Sequence, residues 1–509
     1  MIRNVSSREM DRRRFLHMSG ALSGLGAFAP FAMQLAAAGS VAAAGSAPDY
    51  KALVCIFLFG GNDSNNMIVP TDQDSYNRYW SARFTGQDPI ALMPVGAPRT
   101  AIGDVSPVTG RTVTSNNMPE SWGGLLPFVP KTANPVPPGT SATSRTFGMH
   151  PNMTPANDLF SAGRLAVMAN IGTLVQPTSR ASYEAWQNLP ANLFSHNDQS
   201  NMWQTNGIEG AETGWGGKMA DMIIGGNSNN SLFTAITTAG NTVFLSGETT
   251  LQYPINVFGD PAQQIDGTTG WLFGSDVPSA QLKAVIQDAS SGSYFANDHA
   301  TVVARALSST DIINTAFNTP IAQSLPAPSS SYFVHQMHAV AQMVAVAPSL
   351  GLKRQVFFVS MGGFDTHTFQ NAGQPGLLND LANGLRHLDA ALGNINGINM
   401  RNAVTAFTAS DFSRTYSTNG DGTDHAWGGH QLIYGGAVKG GDMYGQFPTV
   451  GIDKGSFHNP NIADNVMIPT TAVDQYAATM GRWFGVSDSD LHTIFPNLHN
   501  FSTPYLNFL

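Results

Sequence analysis

The 509-residue chain is poor in charged residues and in cysteine. Asp, Glu, Lys and Arg make up only 12% of it, against about 25% in an average soluble protein, whereas 42% is hydrophobic. This balance excludes a charge-driven disordered protein and leaves enough apolar material for a large core. Because Cys55 is the single cysteine, the chain has no internal disulfide and no cysteine-based zinc cluster, so a metal site would need His, Asp, Glu or hydroxyl ligands.

Basic runs and nucleotide-binding motifs are also missing. The chain has 25 Lys and Arg against 34 Asp and Glu, a formal charge of -9, and no basic run follows the first few dozen residues. A nucleic-acid partner is therefore excluded. The sequence contains no P-loop, no dinucleotide fingerprint and no G-x-S-x-G elbow.

The first 45 residues have the pattern of an export signal. The arginines of RRRFL, 12–16, precede a mildly apolar stretch rich in Gly and Ala, and small residues follow up to position 44. This pattern predicts a twin-arginine signal over 1–45, the twin-arginine translocase as export partner, and a periplasmic or extracellular location. Pro30 and several glycines interrupt the apolar stretch, which disfavours a membrane anchor, and no later stretch is long and apolar enough to span a bilayer.

Near-continuous apolar runs alternate with helical patterns in the remaining chain. Strands are predicted from residue 51 to the glycines at 60 and 61, and at 164–172, 355–360 and 403–408, with helices at 182–188 and 375–392. This order is typical of an α/β fold with a large, mostly parallel sheet between helices. Residues 46–509 are predicted to form a single domain, in which the Gly-, Ser- and Asn-rich segment at about 207–331 is an elaboration or cap.

Acids and histidines follow the predicted strands. They are Asp63 after the first strand, Asp365 and His367 after the third, Asp411 after the fourth, and Asp424, His425 and His430 in the next loop. Open α/β sheets place their sites beyond the carboxyl ends of the strands, and carboxylates with imidazoles suit two closely spaced divalent ions. Each element has an ordinary alternative, namely a turn at 60–63, a hydrogen-bonded pair at 365–367 and a helix cap at 424–425.

Several motifs together resemble a bacterial secreted family. LFGGNDSNNMIVP, GRLAVMANIG, LFSHNDQSNMWQT, GGFDTH, SDFSRT and TDHAWGGH occur in this order behind the export signal, from about residue 50 to about 505. They are similar to the family catalogued as domain of unknown function 1501. That family in turn distantly resembles the alkaline phosphatase and sulfatase superfamily, which implies a mostly parallel sheet between helices.

The resemblance implies a two-ion site. Carried over by motif, Asp63 is similar to the first metal ligand, Asp365 and His367 to the middle pair, and Asp411 to the next strand-end acid, with His425 or His430 as the late histidine. The superfamily usually has His directly after that acid, where this chain has Phe412. One ligand position is therefore open, and His425 is the candidate to fill it.

The resemblance also places a nucleophile after the second strand, at the start of a helix. The sequence there is QPTSRASYEAW, with Thr178, Ser179 and Ser182 as hydroxyl candidates and Arg180 as a bidentate ligand for a phosphate or sulfate oxygen. The alternative is that one of these hydroxyls only caps the helix. Val175 stands two residues before Pro177, where a formylglycine-type sulfatase needs Cys or Ser, so the nucleophile would be an unmodified hydroxyl or an activated water.

Three further groups in family motifs have no assigned role. His196 and Asp198 of SHNDQ, and His150 of GMHPNM, are expected to be packed and hydrogen-bonded. Arg414 is either a second anion ligand or the partner of Asp411.

Two functions follow from this reading. The first is an exported hydrolase of phosphate or sulfate esters that uses divalent ions, with zinc ahead of manganese and calcium, and acts on a small anionic ester or a sulfated or phosphorylated glycan. The second is a non-catalytic envelope or extracellular binding protein on the same fold.

Overall fold

A computed structural model describes residues 49–137, 144–207, 210–227, 232–290 and 292–509. The predicted signal at 1–45 lies outside these residues, and so do small parts of the predicted elaboration. Among the described helices, none is long and apolar enough to cross a membrane.

The strands contain two to eight residues each. They are β1 (Lys51–Leu58), β2 (Ile68–Pro70), β3 (Leu126–Phe128), β4 (Phe147–Met149), β5 (Leu165–Gly172), β6 (Ala235–Thr237), β7 (Gln252–Pro254), β8 (Arg354–Met361), β9 (Val404–Ser410), β10 (Gly429–Gly435), β11 (Met443–Tyr444), β12 (Ile462–Ala463), β13 (Val466–Met467) and β14 (Thr471–Ala472).

The helices range from one turn to 24 residues. They are α1 (Ser64–Met67), α2 (Gln73–Arg83), α3 (Thr154–Ser161), α4 (Arg180–Glu184), α5 (His196–Thr205), α6 (Trp215–Ile223), α7 (Val277–Ile286), α8 (Tyr294–Phe317), α9 (Pro320–Gln323), α10 (Tyr332–Val346), α11 (Gln370–Leu392), α12 (Val473–Phe484) and α13 (Asp488–Ile494). Short 3-10 helices lie at Pro119–Ser121, Pro151–Met153, Ile224–Asn227, Val243–Leu245, Arg401–Ala403 and Pro496–Asn500.

A nine-stranded mixed sheet forms the centre of the described fold. The strand order is β11-β5-β10-β9-β1-β8-β6-β7, and β14 pairs with β5. β1 is parallel to both neighbours, β8 and β9, whereas β10 runs antiparallel to β9 and β5. Since β10 runs the opposite way, the loop that leads into it lies at the edge where β1, β8 and β9 end. The prediction of an α/β fold with a large sheet between helices is confirmed, and β10 is the antiparallel exception.

Both faces of the sheet are buried, which explains the apolar runs. Alternate residues of β1 point to opposite faces: Ala52, Val54 and Ile56 join the core under α3, α10 and α11, while Leu53 and Phe57 join the core under α6, α12 and α13. A strand covered on both sides must be apolar at nearly every position. This arrangement leaves the loop ends of the strands as the place for polar side chains.

The predicted elaboration contains helices and short strands. Its described parts include α6 to α9, and β6 and β7 extend the central sheet beyond β8. The predicted helices also shift at their ends. The helix expected at 375–392 begins five residues earlier, as α11, and the one expected at 182–188 is the five-residue α4.

Candidate functional site

Three histidine and aspartate side chains converge at the carboxyl edge of β8 and β9. Ligand atoms of His196, Asp365 and His425 lie within 4.8 Å of one another. The Asp365 Oδ1 atom is 3.6 Å from Nε2 of His196 and 3.8 Å from Nε2 of His425. These three residues are called the His-Asp cluster below.

Each member comes from a different element. Asp365 follows β8, His425 precedes β10, and His196 is the first residue of α5, which Ser195 caps by accepting a hydrogen bond from Asp198 N. The His425 ring donates through Nδ1 to the Phe194 carbonyl at 2.7 Å. That bond ties the loop before β10 to the turn before α5.

Asp411 orients His196. Its Oδ2 atom lies 2.7 Å from His196 Nδ1 and accepts a second bond, 3.0 Å long, from the backbone N–H of Gly60. A carboxylate oxygen accepts, so Nδ1 of His196 carries a proton and Nε2 faces Asp365 and His425. Gly60 has φ +112, and a Cβ there would lie 2.3 Å from Asp365 N, so only glycine fits this approach.

His367 and Asp424 flank the cluster on the solvent side. His367 Nε2 lies 2.8 Å from His425 Nε2 and 3.4 Å from Asp365 Oδ1, while its Nδ1 donates to Asp424 at 3.0 Å. The predicted pair of Asp365 and His367 is therefore brought together with His425, with His367 beside the cluster.

Arg414 is the ion-pair partner of Asp365, not of Asp411. Its guanidinium is fully buried and donates to the carbonyls of Gly60, Gly61 and Thr423 and to Asp365 Oδ1. With all three of its nitrogens used, it is a structural cation and not a second anion ligand.

Opposing effects set the pKa of each cluster member. The hydrogen bond to Asp411 raises the pKa of His196, whereas burial lowers the pKa of His425. Burial acts to raise the pKa of Asp365, but the bond and charge of Arg414 hold it below its ordinary value. The cluster therefore contains an ionised carboxylate and an imidazole that stays neutral at neutral pH.

Phe412 packs against both histidines of the cluster. Its ring centroid is 4.7 Å from that of His196 and 4.6 Å from that of His425. The phenyl ring supplies no ligand atom, but it excludes water from one side of both imidazoles.

The donor set fits a divalent transition metal. Two imidazole nitrogens and one carboxylate oxygen are common zinc ligands. Two buried atoms here, His196 Nε2 and Asp411 Oδ1, have no hydrogen-bond partner among the described residues. Nε2 of His196 faces the Asp365 carboxylate and is a ligand atom that no hydrogen bond within the described structure occupies.

Asp63 is not part of the cluster, so the prediction that it is a metal ligand is corrected. Its carboxylate forms a fully buried ion pair with Arg83, with a 2.5 Å contact, and it accepts further bonds from Gln370 Nε2 and Asn65 N. Both oxygens are already saturated with N–H donors. The acid caps α1 and neutralises a buried arginine.

His430 lies outside the cluster, and its role as a ligand stays a prediction. Its Nε2 atom is buried and has no hydrogen-bond partner among the described residues. Its Nδ1 accepts from Asn170 N at 3.1 Å, and its ring stacks on Phe447 with a centroid distance of 4.5 Å. Burial lowers the pKa of His430 to about 3, so the ring stays neutral. Of the two late histidines, only His425 reaches the cluster.

The predicted nucleophile segment forms structural contacts. Ser179 caps α4, with its Oγ accepting from Ser182 N at 3.1 Å, and Thr178 Oγ1 donates to the Gln176 carbonyl. Arg180 pairs with Glu184 and Asp453 and donates to two backbone carbonyls, those of residues 459 and 462. In the described structure none of the four contacts the cluster, and their contacts cap and brace α4. Their roles as nucleophile and anion ligand stay predictions.

Sequence reasoning named His196 but missed its role. The available signal was SHNDQ, in which Ser195 marks a helix start and so places His196 in the first turn. What the sequence could not show is that the chain after β5 returns to the edge where β8 and β9 end. Of the other unassigned groups, His150 is buried and accepts from Asn152 N, and Asp198 accepts from Ser195 and Asn192.

Family comparison agrees with the motifs. Residues 50–252 and 322–495 match the family model described as "Protein of unknown function (DUF1501)". The chain belongs to the DUF1501 family. The gap in the match coincides with most of the predicted elaboration, so the cluster of this DUF1501 protein lies entirely within the matched residues.

Comparisons with curated proteins and with solved structures add no functional assignment. No curated protein matches the chain. One solved structure is titled "Crystal structure of Ps i-CgsB in complex with k-i-k-neocarrahexaose"; it has 12% sequence identity and a TM-score of 0.28, over 69% of this chain and 72% of that chain. At this TM-score the likeness carries no conclusion about this DUF1501 protein.

Proposed function

We propose that this DUF1501 protein is an exported, metal-dependent hydrolase of phosphate or sulfate esters on an alkaline phosphatase-like fold. The observation that carries the proposal is the convergence of His196, Asp365 and His425, with a buried imidazole nitrogen that has no partner among the described residues. A tetrahedral ester group carries negative charge, and hydrolysis needs that charge neutralised and a water activated.

The cluster residues would hold one divalent ion, with zinc favoured by the two imidazoles. When bound, it would supply a positive charge for the ester oxygens and lower the pKa of a water molecule. The sequence-based expectation of two ions stays a prediction, and the three ligand atoms that lie within 4.8 Å of one another suit one of them.

Protein groups around the cluster prepare it for this role. Asp411 fixes the tautomer of His196, and Arg414 fixes the carboxylate of Asp365. No serine or threonine hydroxyl among the described residues hydrogen-bonds a member of the cluster. Water is therefore the favoured nucleophile, with an alcohol leaving from the ester.

The second candidate is a non-catalytic envelope or extracellular binding protein. The same lack of a hydroxyl nucleophile favours it, together with Phe412 at a ligand position. In both proposals the segment 1–45 directs twin-arginine export, and the partner is a small anionic ester or a sulfated or phosphorylated glycan.

Metal analysis separates the two candidates. Protein purified from the periplasm is assayed for bound zinc, manganese and calcium and then screened on chromogenic phosphate monoesters, phosphate diesters and sulfate esters. His196→Ala is expected to lose the metal and any turnover together, whereas His299→Ala, an exposed histidine outside the cluster, retains both.

Each outcome decides between them. Bound metal with no turnover on any ester would leave the binding protein as the better proposal. A wild-type protein without metal, and with no thermal shift on added zinc, would overturn the hydrolase.

A further inference from the structure

We infer that Gln370 is a positioning residue that holds the two halves of the His-Asp cluster at a fixed separation. The inference rests on the proposed function for its chemical meaning, but it concerns contacts of the protein alone. One half of the cluster is Asp365 with His425. The other is His196, which Asp411 connects to the loop after β1 through Gly60.

Gln370 is the first residue of α11 and is 1% exposed. Its amide nitrogen donates to Asp63 Oδ2 at 2.6 Å and to Gln374 Oε1 at 3.1 Å. Its amide oxygen accepts from Thr423 Oγ1 at 2.8 Å and from Thr366 Oγ1 at 3.4 Å. The one carboxamide therefore contacts three separate loops.

Two of these contacts are next to cluster members in the chain. Thr366 directly follows Asp365, and Thr423 comes two residues before His425. The backbones of their loops are also joined, since Thr423 N donates to the Thr366 carbonyl at 3.0 Å. Gln370 thus binds two loops that a backbone hydrogen bond already joins.

The third contact supplies the fixed point. Asp63 is held by Arg83, whose guanidinium also donates to Asn66 and to the carbonyls of Thr415 and Tyr416. A buried ion pair with this many bonds has little freedom to move. Through Asp63, Gln370 fixes the loops of Asp365 and His425 relative to the loop after β1. Gly60 of that loop donates to Asp411, which in turn binds His196.

The backbone before Gln370 is strained. Phe369 adopts φ 55 and ψ 33, a left-handed conformation that is unfavourable for a bulky side chain. The segment is retained because Phe369 N donates to Asp421 Oδ2 and Gln370 N donates to the Asp421 carbonyl. The loop before β10, through Asp421, therefore also holds the backbone at the start of α11.

Arg414 makes a parallel connection, but from within the cluster itself, since it bonds Asp365 directly. Gln370 contacts no member of the cluster. Its effect on the site must therefore pass through loop position, which makes a clean test feasible.

The test compares Gln370→Met with Gln374→Met in the full-length mature protein. Gln374 lies one turn later on α11, is also buried, and donates to Asn62 Oδ1 and the Asp63 carbonyl. It also accepts from the Gln370 amide, so Gln374→Met removes that bond but leaves the bonds of Gln370 to Thr366, Thr423 and Asp63 Oδ2 in place. Both variants lose buried amide bonds of the same kind. Only Gln370→Met releases the loops at 362–368 and 419–428.

Hydrogen–deuterium exchange of the metal-free protein is the first measurement. Gln370→Met is expected to speed exchange about tenfold in both loops, and Gln374→Met to leave them unchanged. The second measurement is zinc affinity by chelator competition, for which outer-shell changes typically cost 10- to 100-fold. Gln370→Met should show a loss in this range and Gln374→Met should not.

Thr423 provides a milder pair of variants if Gln370→Met does not fold. Thr423→Val removes the hydroxyl that bonds Gln370, and Thr423→Ser retains it, so only the valine variant should weaken zinc binding and speed exchange. Equal exchange in Gln370→Met and Gln374→Met would overturn the inference, as would exchange confined to α11. A wild type that binds no zinc would overturn the proposed function alone, because the exchange result still decides the role of Gln370.

Discussion

Two polar regions lie side by side at the carboxyl edge of the sheet, and they are built in opposite ways. In the His-Asp cluster the side chains are partly exposed, 51% for Asp365, and the buried Nε2 atom of His196 has no hydrogen-bond partner among the described residues. In the neighbouring network of Asp63, Arg83 and Gln370, the ion pair is 0% exposed and both carboxylate oxygens are bonded. A strand-end acid is a candidate ligand only where its hydrogen-bonding capacity is left open.

The largest expected effect on stability comes from removing the buried cation of the Asp63–Arg83 ion pair. Arg83→Met leaves Asp63 charged, buried and without its cation, and we expect a loss of about 3–5 kcal/mol in the free energy of unfolding. His367→Ala in the exposed cluster should cost about 1 kcal/mol or less. Urea unfolding at pH 7 with chelator present measures both variants.

A double variant checks the cause. Asp63→Asn removes the stranded charge, so Arg83→Met combined with Asp63→Asn should be more stable than Arg83→Met alone. A double variant that is as unstable as the sum of the single variants would show that the loss comes from packing and not from charge.

Among the described residues, Asp474 is a buried carboxyl without a cation, in contrast to Asp63, which is paired with Arg83. Asp474, in the first turn of α12, is 1% exposed, and its carboxylate accepts from the Asn206 amide at 3.1 Å. Burial raises the pKa of Asp474 to about 7, above its ordinary 3.8. Between these two values the folded state binds more protons than the unfolded state, so stability falls as pH rises from about 4 to 7.

Asp474→Asn should remove this penalty. We expect the variant to exceed the wild type by about 2–4 kcal/mol at pH 8, and the two to have equal stability near pH 4. Unfolding free energies at both pH values test this. A difference that does not depend on pH would mean that the Asp474 carboxyl does not titrate as described.

A smaller effect is expected for the residue behind His196. Asp411→Asn loses the charged acceptor that fixes the imidazole tautomer, and we expect a 10- to 100-fold lower zinc affinity. Asp424→Asn is the matched control, since Asp424 accepts from His367 Nδ1 in the same way but is exposed. Equal losses in both variants would place His367 among the ligands.

Local chemistry predicted the strands and most of the site loops. β1, β5, β8 and β9 appear as apolar runs because both of their faces are buried, and strand-end position was enough to bring Asp365 and His425 together. β10 was not predicted, because GHQLIYG mixes polar and apolar residues and its direction depends on its neighbours.

Two predicted ligands that lie outside the cluster are held by contacts distant in sequence. Asp63 follows a strand as Asp365 does, but its carboxylate is paired with Arg83, twenty residues later in the chain. His430 looked like His425, but Phe447 and Asn170 enclose it. Such partners are set by tertiary packing, which no local pattern reveals.

The smallest expected effect concerns the segment that sequence reasoning chose for the nucleophile. Ser179→Ala removes the cap of α4, a change that typically costs about 1 kcal/mol, and a five-residue helix braced by Arg180 should lose no more. Thr178→Ala and Ser182→Ala should cost less still. None of the three should change zinc content or ester turnover, because their described contacts stay within 176–187. If one variant keeps its metal but loses turnover, that hydroxyl is the nucleophile. Hydrogen-bond saturation would then not distinguish the functional side chains of this site from the structural ones.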